Sequence, residues 1–244
     1  VGIGIPGFSS RQTGIITNAN SLWLNDKPFK KDLELALSRE VRLMNDANCF
    51  TLSEAVDGAG KDYKSIFGII IGTGFGGGLS YNKSIIEGSN QIAGDWGHQP
   101  LPYPTKDEQE IKISCPSNNC GRPLCAEQFM SGIGFKDRFN QKYDTNFTSE
   151  EIVKLDLEND TRANLELGLY EDRMARLMAV MIGIFDPDAI ILGGGMSNID
   201  RFYKNIPSLI PKYTFSNKVE TKVLKNFHGD SSGVRGAAWL WNSE

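Results

Sequence analysis

Histidine and cysteine are scarce in this chain: two histidines and four cysteines among 244 residues. With nothing to mark secretion, four cysteines argue against a disulfide framework, and the cytoplasm is the expected compartment. No apolar run approaches the roughly 18 residues that a membrane span needs. Charge of one sign is never concentrated. The net charge is -4, and the nearest thing to a basic stretch, Lys27–Lys31, is diluted by Pro28 and Phe29. Nucleic acid and membranes are therefore not expected partners. A Gly-Lys-Ser/Thr triplet is also missing, which excludes a Walker phosphate loop. Finally, no initiator Met or signal peptide precedes Val1-Gly2-Ile3-Gly4-Ile5, which reads as a strand from its first residue. Further residues are expected to precede Val1 in the natural protein.

What is abundant is glycine in one place. Gly72-Thr73-Gly74-Phe75-Gly76-Gly77-Gly78 follows the apolar run Ser65–Ile71. Bare backbone of this kind can approach a ligand closely and aim N–H groups at phosphate oxygens. Gly72, Gly74 and Gly77 fit the dinucleotide pattern G-x-G-x-x-G. That pattern means a dinucleotide site only where a helix follows. Here Leu79–Tyr81, an Asn82-Lys83 turn and Ser84–Ile86 predict a hairpin. Two readings are left: a phosphate cradle using backbone N–H groups and the Thr73 hydroxyl, or a hairpin turn without a ligand.

The remaining pattern alternates strands and helices, which means α/β. Strands are expected at 1–5, 41–44, 65–71, 189–192 and 219–224. Helices are expected at 28–39, 46–59, 126–139, from the Thr148–Glu151 capping box onward, at 164–185, at 199–213 with an interruption at Pro207, and at 232–241. Residues 99–124 are rich in Pro, Cys and Asn and read as irregular.

Three further clusters could carry chemistry. Asn45-Asp46-Ala47-Asn48 lies where a strand meets a helix. Asp46 there is either a general base for a substrate hydroxyl or a plain helix cap. Gly94-Asp95-Trp96-Gly97-His98 precedes Cys115-x4-Cys120-x4-Cys125. One His and three Cys make a tetrahedral set suited to structural Zn²⁺; the other reading is buried thiols beside a core histidine. Gly193-Gly194-Gly195, between a buried strand and a helix, offers either close approach to an adenosine or phosphate group or a tight turn.

Together these segments resemble the ROK family of bacterial sugar kinases. The matching pieces are Gly4–Gly7, Asn45–Asn48, Gly72–Gly78, Gly94–His98, the cysteine cluster ending in Cys125-Ala126-Glu127, and Leu192–Gly195, in the family's order. Asn18–Asn25, Gly97–Pro102 and His228–Trp241 look closer still to its fructokinase, or manno(fructo)kinase, branch. The resemblance implies a two-domain actin/hexokinase-like (ribonuclease H-like) fold, N-terminally truncated here. Its small lobe would be 1–62 plus 231–244, and its large lobe, with the zinc site, 63–230.

It implies ATP-dependent phosphorylation of a hexose, with Mg²⁺ and structural Zn²⁺. The expected hexose is fructose, at its 6-hydroxyl, with N-acetylglucosamine or glucose as the alternative. A sugar-sensing repressor is the alternative of another class. Asp46 would be the base. Asn45, Asp95, His98 and Glu127 would hold the sugar. Gly72, Thr73, Gly74, Gly76 and Gly77 would hold ATP phosphates, and Gly193, Gly194 and Gly195 the adenosine side. His98, Cys115, Cys120 and Cys125 would hold zinc. Hexose and ATP are the implied partners, and homodimers are common in the family. Asp95 stands where the family has Glu. Four residues part Cys115 from Cys120, where one is usual. The family's N-terminal Asp-x-Gly-x-Thr hairpin is absent, so this stretch alone is expected to be inactive.

Overall fold

The computed structural model describes residues 1–19, 21–111, 115 and 120–241. Its centre is strand β5 (Ser65–Ile71), which pairs antiparallel with β6 (Phe75–Tyr81) and parallel with β8 (Ala189–Gly193). β7 (Ser84–Ile85) and β9 (Lys222–Lys225) complete a five-stranded sheet in the order β7-β6-β5-β8-β9.

β5 is apolar along its whole length because both its faces are covered. Alternate side chains divide between two cores, as a period of two dictates. Phe67, Ile69 and Ile71 join the large core built on α4 (Ala126–Met130), α5 (Gly132–Tyr143) and α7 (Thr161–Phe185). Ile66 and Ile70 face a smaller core with Phe50 of α2 (Asp46–Val56) and Ile191. Between them Gly68 has no room for a side chain: a Cβ there would lie 2.2 Å from the Thr51 hydroxyl.

The first part of the chain builds a separate, smaller layer. β1 (Gly2–Ile5) pairs parallel with β4 (Arg42–Asn45), and α1 (Phe29–Leu37) lies between them in sequence. Between β1 and α1 the chain forms a short antiparallel hairpin, β2 (Phe8–Ser9) with β3 (Ile16–Thr17), and a 3-10 turn at Leu22–Leu24. Asn20 lies outside the described residues. α9 (Ser232–Trp239) returns from the large sheet to pack on α2 and β1. Residues 242–244, which follow the expected final helix, are also outside the described residues.

Some expected elements differ. The predicted helix 126–139 is two helices, broken where Ser131 ends α4 and caps α5. The predicted irregular stretch holds a short helix, α3 (Lys106–Glu110), with a full capping box of Thr105 and Glu108. α6 (Ser149–Leu157) starts at the expected Thr148 capping box. α8 (Arg201–Leu209) passes through Pro207 rather than stopping there.

Candidate active site

The site begins with a cap. β4 delivers Asn45 in extended conformation, and its Oδ1 accepts from the Ala47 N–H at 3.0 Å, while its Nδ2 donates to the Gly7 carbonyl at 3.3 Å. Asn45 thus caps α2, and Asp46 stands as the first helical residue with its side chain open to solvent. Its Oδ1 also accepts from Ala47, at 2.8 Å. Protein atoms crowd around it, and this desolvation pushes its pKa up; the Ala47 bond opposes the rise and the nearby Asp95 charge adds to it. Water at its exposed face moderates the rise.

The glycine segment is not one uniform loop. Only Gly72–Gly74 forms the turn, closed by Gly72 N–H donating to Gly74 C=O at 3.0 Å; Phe75 onward is strand. The glycines then separate by what surrounds them. A Cβ on Gly78 would lie 2.6 Å from both Asn48 Oδ1 and Thr51 Oγ1, and one on Gly77 2.8 Å from the Phe67 ring. Gly78, with Gly68, lets α2 and the sheet approach closely, while Gly77 leaves room for the Phe67 ring on the other face. Gly72 has nothing within 4 Å of such an atom, and Gly76 only the Ala47 methyl at 3.8 Å. The exposed Thr73 lies between Gly72 and Gly74. The expected ligand face is therefore Gly72, Thr73, Gly74 and Gly76, while Gly77 is a packing residue.

The second glycine run divides likewise. Gly193 is bare because the Phe50 ring would lie 2.3 Å from a Cβ, and Gly194, at φ 80°, crosses the Ile71 carbonyl. Gly195 faces open space and starts a 3-10 turn, Gly195–Asn198, that leads into α8.

Residues that the sequence reading missed converge at the same turn. Gly132 N–H donates to Gly72 C=O at 2.8 Å, and the Ser149 hydroxyl donates to the Gly132 carbonyl at 2.9 Å. Met196 approaches the same glycine. The signal was present as Ser131-Gly132 inside an otherwise helical run, since a glycine there weakens a helix interior.

The segment at 94–98 is pinned against β6. Gly94, at φ 88°, touches Gly78, a Cβ on Gly97 would lie 1.8 Å from the Phe75 carbonyl, and Trp96 packs edge-on against Phe67, ring centroids 4.7 Å apart. Asp95 stays exposed. Desolvation raises its pKa, the His98 charge opposes this and the Glu127 charge adds to it. Backbone bonds from Ala126 to Gln99 and from Glu127 to Gly97 then bring the start of α4 beside His98.

This assembles a cluster of side chains that could hold a metal ion. One ligand atom each from His98, Cys115, Cys120 and Cys125 lies within 4.8 Å of the others. His98 Nδ1 is 3.9 Å from Cys115 Sγ and 4.0 Å from Cys125 Sγ. The Cys115 and Cys125 sulfurs are 3.2 Å apart. Zn–N and Zn–S bonds of about 2.0 and about 2.3 Å in a tetrahedron would put N and S about 3.6 Å and two sulfurs about 3.8 Å apart, so small shifts of these side chains would let the donor set hold the ion. Cys115 takes its place here despite its unusual spacing.

The far side of this long connection is clamped to α7. Glu108, 3% exposed, receives Arg173 and Arg176, each at 2.7 Å, and Arg176 also donates to the carbonyls of Pro102 and Tyr103. Burial alone would raise the Glu108 pKa; the two guanidiniums and the Thr105 N–H hold it down at about 2.

The ROK family model matches residues 1–244. An N-acetyl-D-glucosamine kinase of Vibrio cholerae is 37% identical over 240 residues, which is 98% of this chain and 80% of that protein. Among solved structures, a ROK hexokinase from Thermus thermophilus aligns with a TM-score of 0.82 at 25% identity, over 97% of this chain and 76% of that one. A ROK glucokinase from Streptomyces griseus, solved with glucose and AMPPNP, aligns with a TM-score of 0.83 at 23% identity, over 98% and 80%. These likenesses agree with the α/β pattern read from the residues and with the hexokinase-like architecture that the resemblance implies. With the whole chain matched and more than a third of it identical to a curated relative, this protein belongs to the ROK family.

Proposed function

We propose that the protein is an ATP-dependent hexose kinase whose substrate is N-acetylglucosamine. The observation that carries the kinase reading is the placement of Asp46: a solvent-open carboxylate with a raised pKa, on a helix seated against the glycine hairpin. Phosphoryl transfer asks mainly for positioning and charge stabilisation, plus one base to orient the attacking hydroxyl. Asp46 would take that proton. Asn45, Asp95, His98 and Glu127 would hold the sugar, and Gly72, Thr73, Gly74 and Gly76 the phosphates. Gly195, with Gly132 and Met196 nearby, would border the adenosine. Mg²⁺ would travel with ATP, neutralising phosphate charge. Zinc on His98 and the three cysteines would shape the pocket without taking part in the chemistry.

The choice of sugar rests on the relatives, of which several named N-acetyl-D-glucosamine kinase are 35–37% identical. Fructose remains the second reading, carried by the three fructokinase-like stretches. The structure gives much of those stretches work within the fold. Asn25 brackets Ala19, accepting from its N–H at 2.8 Å and donating to its carbonyl at 3.0 Å, and Trp23 is 73% exposed. His228, Ser232 and Arg235 grip Asp57 and Glu54 of the α2 end. Residues spent on such contacts are weak markers of the sugar.

Residues 1–62 with 231–244 would form one lobe and 63–230 the other, closing over the sugar to exclude water from ATP. Coupled assays of the intact protein across hexoses test the choice. Turnover with N-acetylglucosamine well above fructose and mannose is expected; the reverse order would restore the fructokinase reading.

A further inference from the structure

Glu127 is the second residue of α4 and is 3% exposed, yet its carboxylate reaches in two directions. Oε2 accepts from the Phe75 N–H at 3.1 Å, and Oε1 lies 3.5 Å from Cys115 Sγ. Phe75 is the first strand residue after the glycine turn, paired with Ile71 across the hairpin. The turn is thus closed inside by the Gly72–Gly74 bond and outside by Glu127. The contact is close: a Cβ on Gly74 would lie 3.1 Å from Oε2. The Glu127 backbone is itself held, since its N–H donates to the Gly97 carbonyl at 2.7 Å and its C=O accepts from the Ser131 N–H at 3.1 Å.

We infer that Glu127 is a positioning residue for the nucleotide, fixing the Gly72–Phe75 turn through the Phe75 N–H independently of any sugar contact. The inference rests on the proposed role of that turn as a phosphate loop. A flexible glycine turn loses conformational entropy when it closes on phosphate, and a turn already braced loses less. The carboxylate that braces the loop also lies against Cys115 of the His/Cys cluster.

The test is calorimetric titration of the intact protein with Mg-ADP, without sugar. Glu127→Ala removes the acceptor, and Glu127→Asp keeps the charge but is one methylene too short. Both should bind ADP roughly tenfold more weakly, in the range of a lost hydrogen bond to a charged group. Glu127→Gln retains a carbonyl acceptor of the same reach and should bind within about twofold of wild type. A residue that serves the sugar alone would leave all three unchanged, and that result overturns the inference. Equal loss in all three, Gln included, would make the charge the cause and overturns it too. If Glu127→Ala does not fold, the Asp and Gln pair decides. Wild type that fails to bind ADP would remove the phosphate-loop reading itself and the inference with it.

Discussion

The two ends of α2 each carry a buried-helix carboxylate, and they are treated in opposite ways. Glu54, at the C-terminal end, is 0% exposed and accepts from four donors: the N–H groups of Ala59, Phe227 and His228 and the Ser232 hydroxyl, at 2.9, 3.0, 3.3 and 2.8 Å. A carboxylate has about four acceptor positions, so Glu54 has none to spare. Asp46, at the N-terminal end, is open to solvent and shares one backbone N–H with Asn45. Its pKa is raised where a helix N-terminus would ordinarily lower it. On the proposed reading the base is the carboxylate with unfilled acceptor positions, and the saturated one holds in place the helix that carries it.

The sharpest way to break this contrast is Asp46→Asn. It keeps the shape and removes the base, so turnover should fall by roughly 10²–10⁴-fold while sugar binding persists. Steady-state rates beside sugar titrations check it; near-normal turnover would refute the assignment. Glu54→Ala should do the converse. It strands buried donors at about 1–3 kcal/mol each, partly relieved by relaxation. For a chain of this size a loss of ~2–3 kcal/mol lowers Tm by roughly 5–10 °C. Thermal melts should show that drop for Glu54→Ala and none for Asp46→Asn, with the surviving Glu54→Ala enzyme still turning over.

pH separates carboxylates of opposite kind. A raised folded pKa means that Asp46 binds its proton more tightly in the folded state. Its ionisation therefore costs stability above that pKa, and the cost disappears as pH falls through it. Glu108 behaves in reverse. Its stabilisation is complete above its ordinary value of 4.5 and is lost as pH falls toward about 2. Urea midpoints measured from pH 7 to pH 3 should show Asp46→Asn flattening the upper part of the profile, and Glu108→Gln the lower part. Coincident profiles would contradict both signs.

How far the sequence carried this picture depends on which forces acted locally. β5, α2 and the Thr148 cap were readable because apolar runs, a polar strand-to-helix junction and a capping box act over a few residues. The ligand cluster was readable from residue type alone, since few pairings suit one His with three Cys. Long-range packing was not readable. Gly72 and Gly77 look alike in sequence, yet one opens to space and the other seats Phe67. Nothing local showed that Glu108, which sits in a legible Thr105 capping box, would meet two arginines of α7 some seventy residues on. The structural work of 228–241 was hidden for the same reason, because its partners lie at the end of α2, far back in the chain.

The smallest expected effect concerns Asp57, three residues beyond Glu54. It bonds His228 at 2.9 Å and also Arg235, and its side chain is 31% exposed. Burial pushes its pKa up, but the His228 and Arg235 bonds prevail and hold it below the usual carboxylate range. Solvent screens such a pair, so Asp57→Asn should cost about 1 kcal/mol or less, near 2 °C in Tm, and the cost should shrink in high salt. The Glu54→Ala loss, made of buried neutral donors rather than charge pairs, should not respond to salt. Melts of both variants at low and high salt sharpen the comparison within one end of α2. A salt-sensitive Glu54 would mean that its carboxylate is held by charge after all, and the distinction drawn between saturation and pairing would fall.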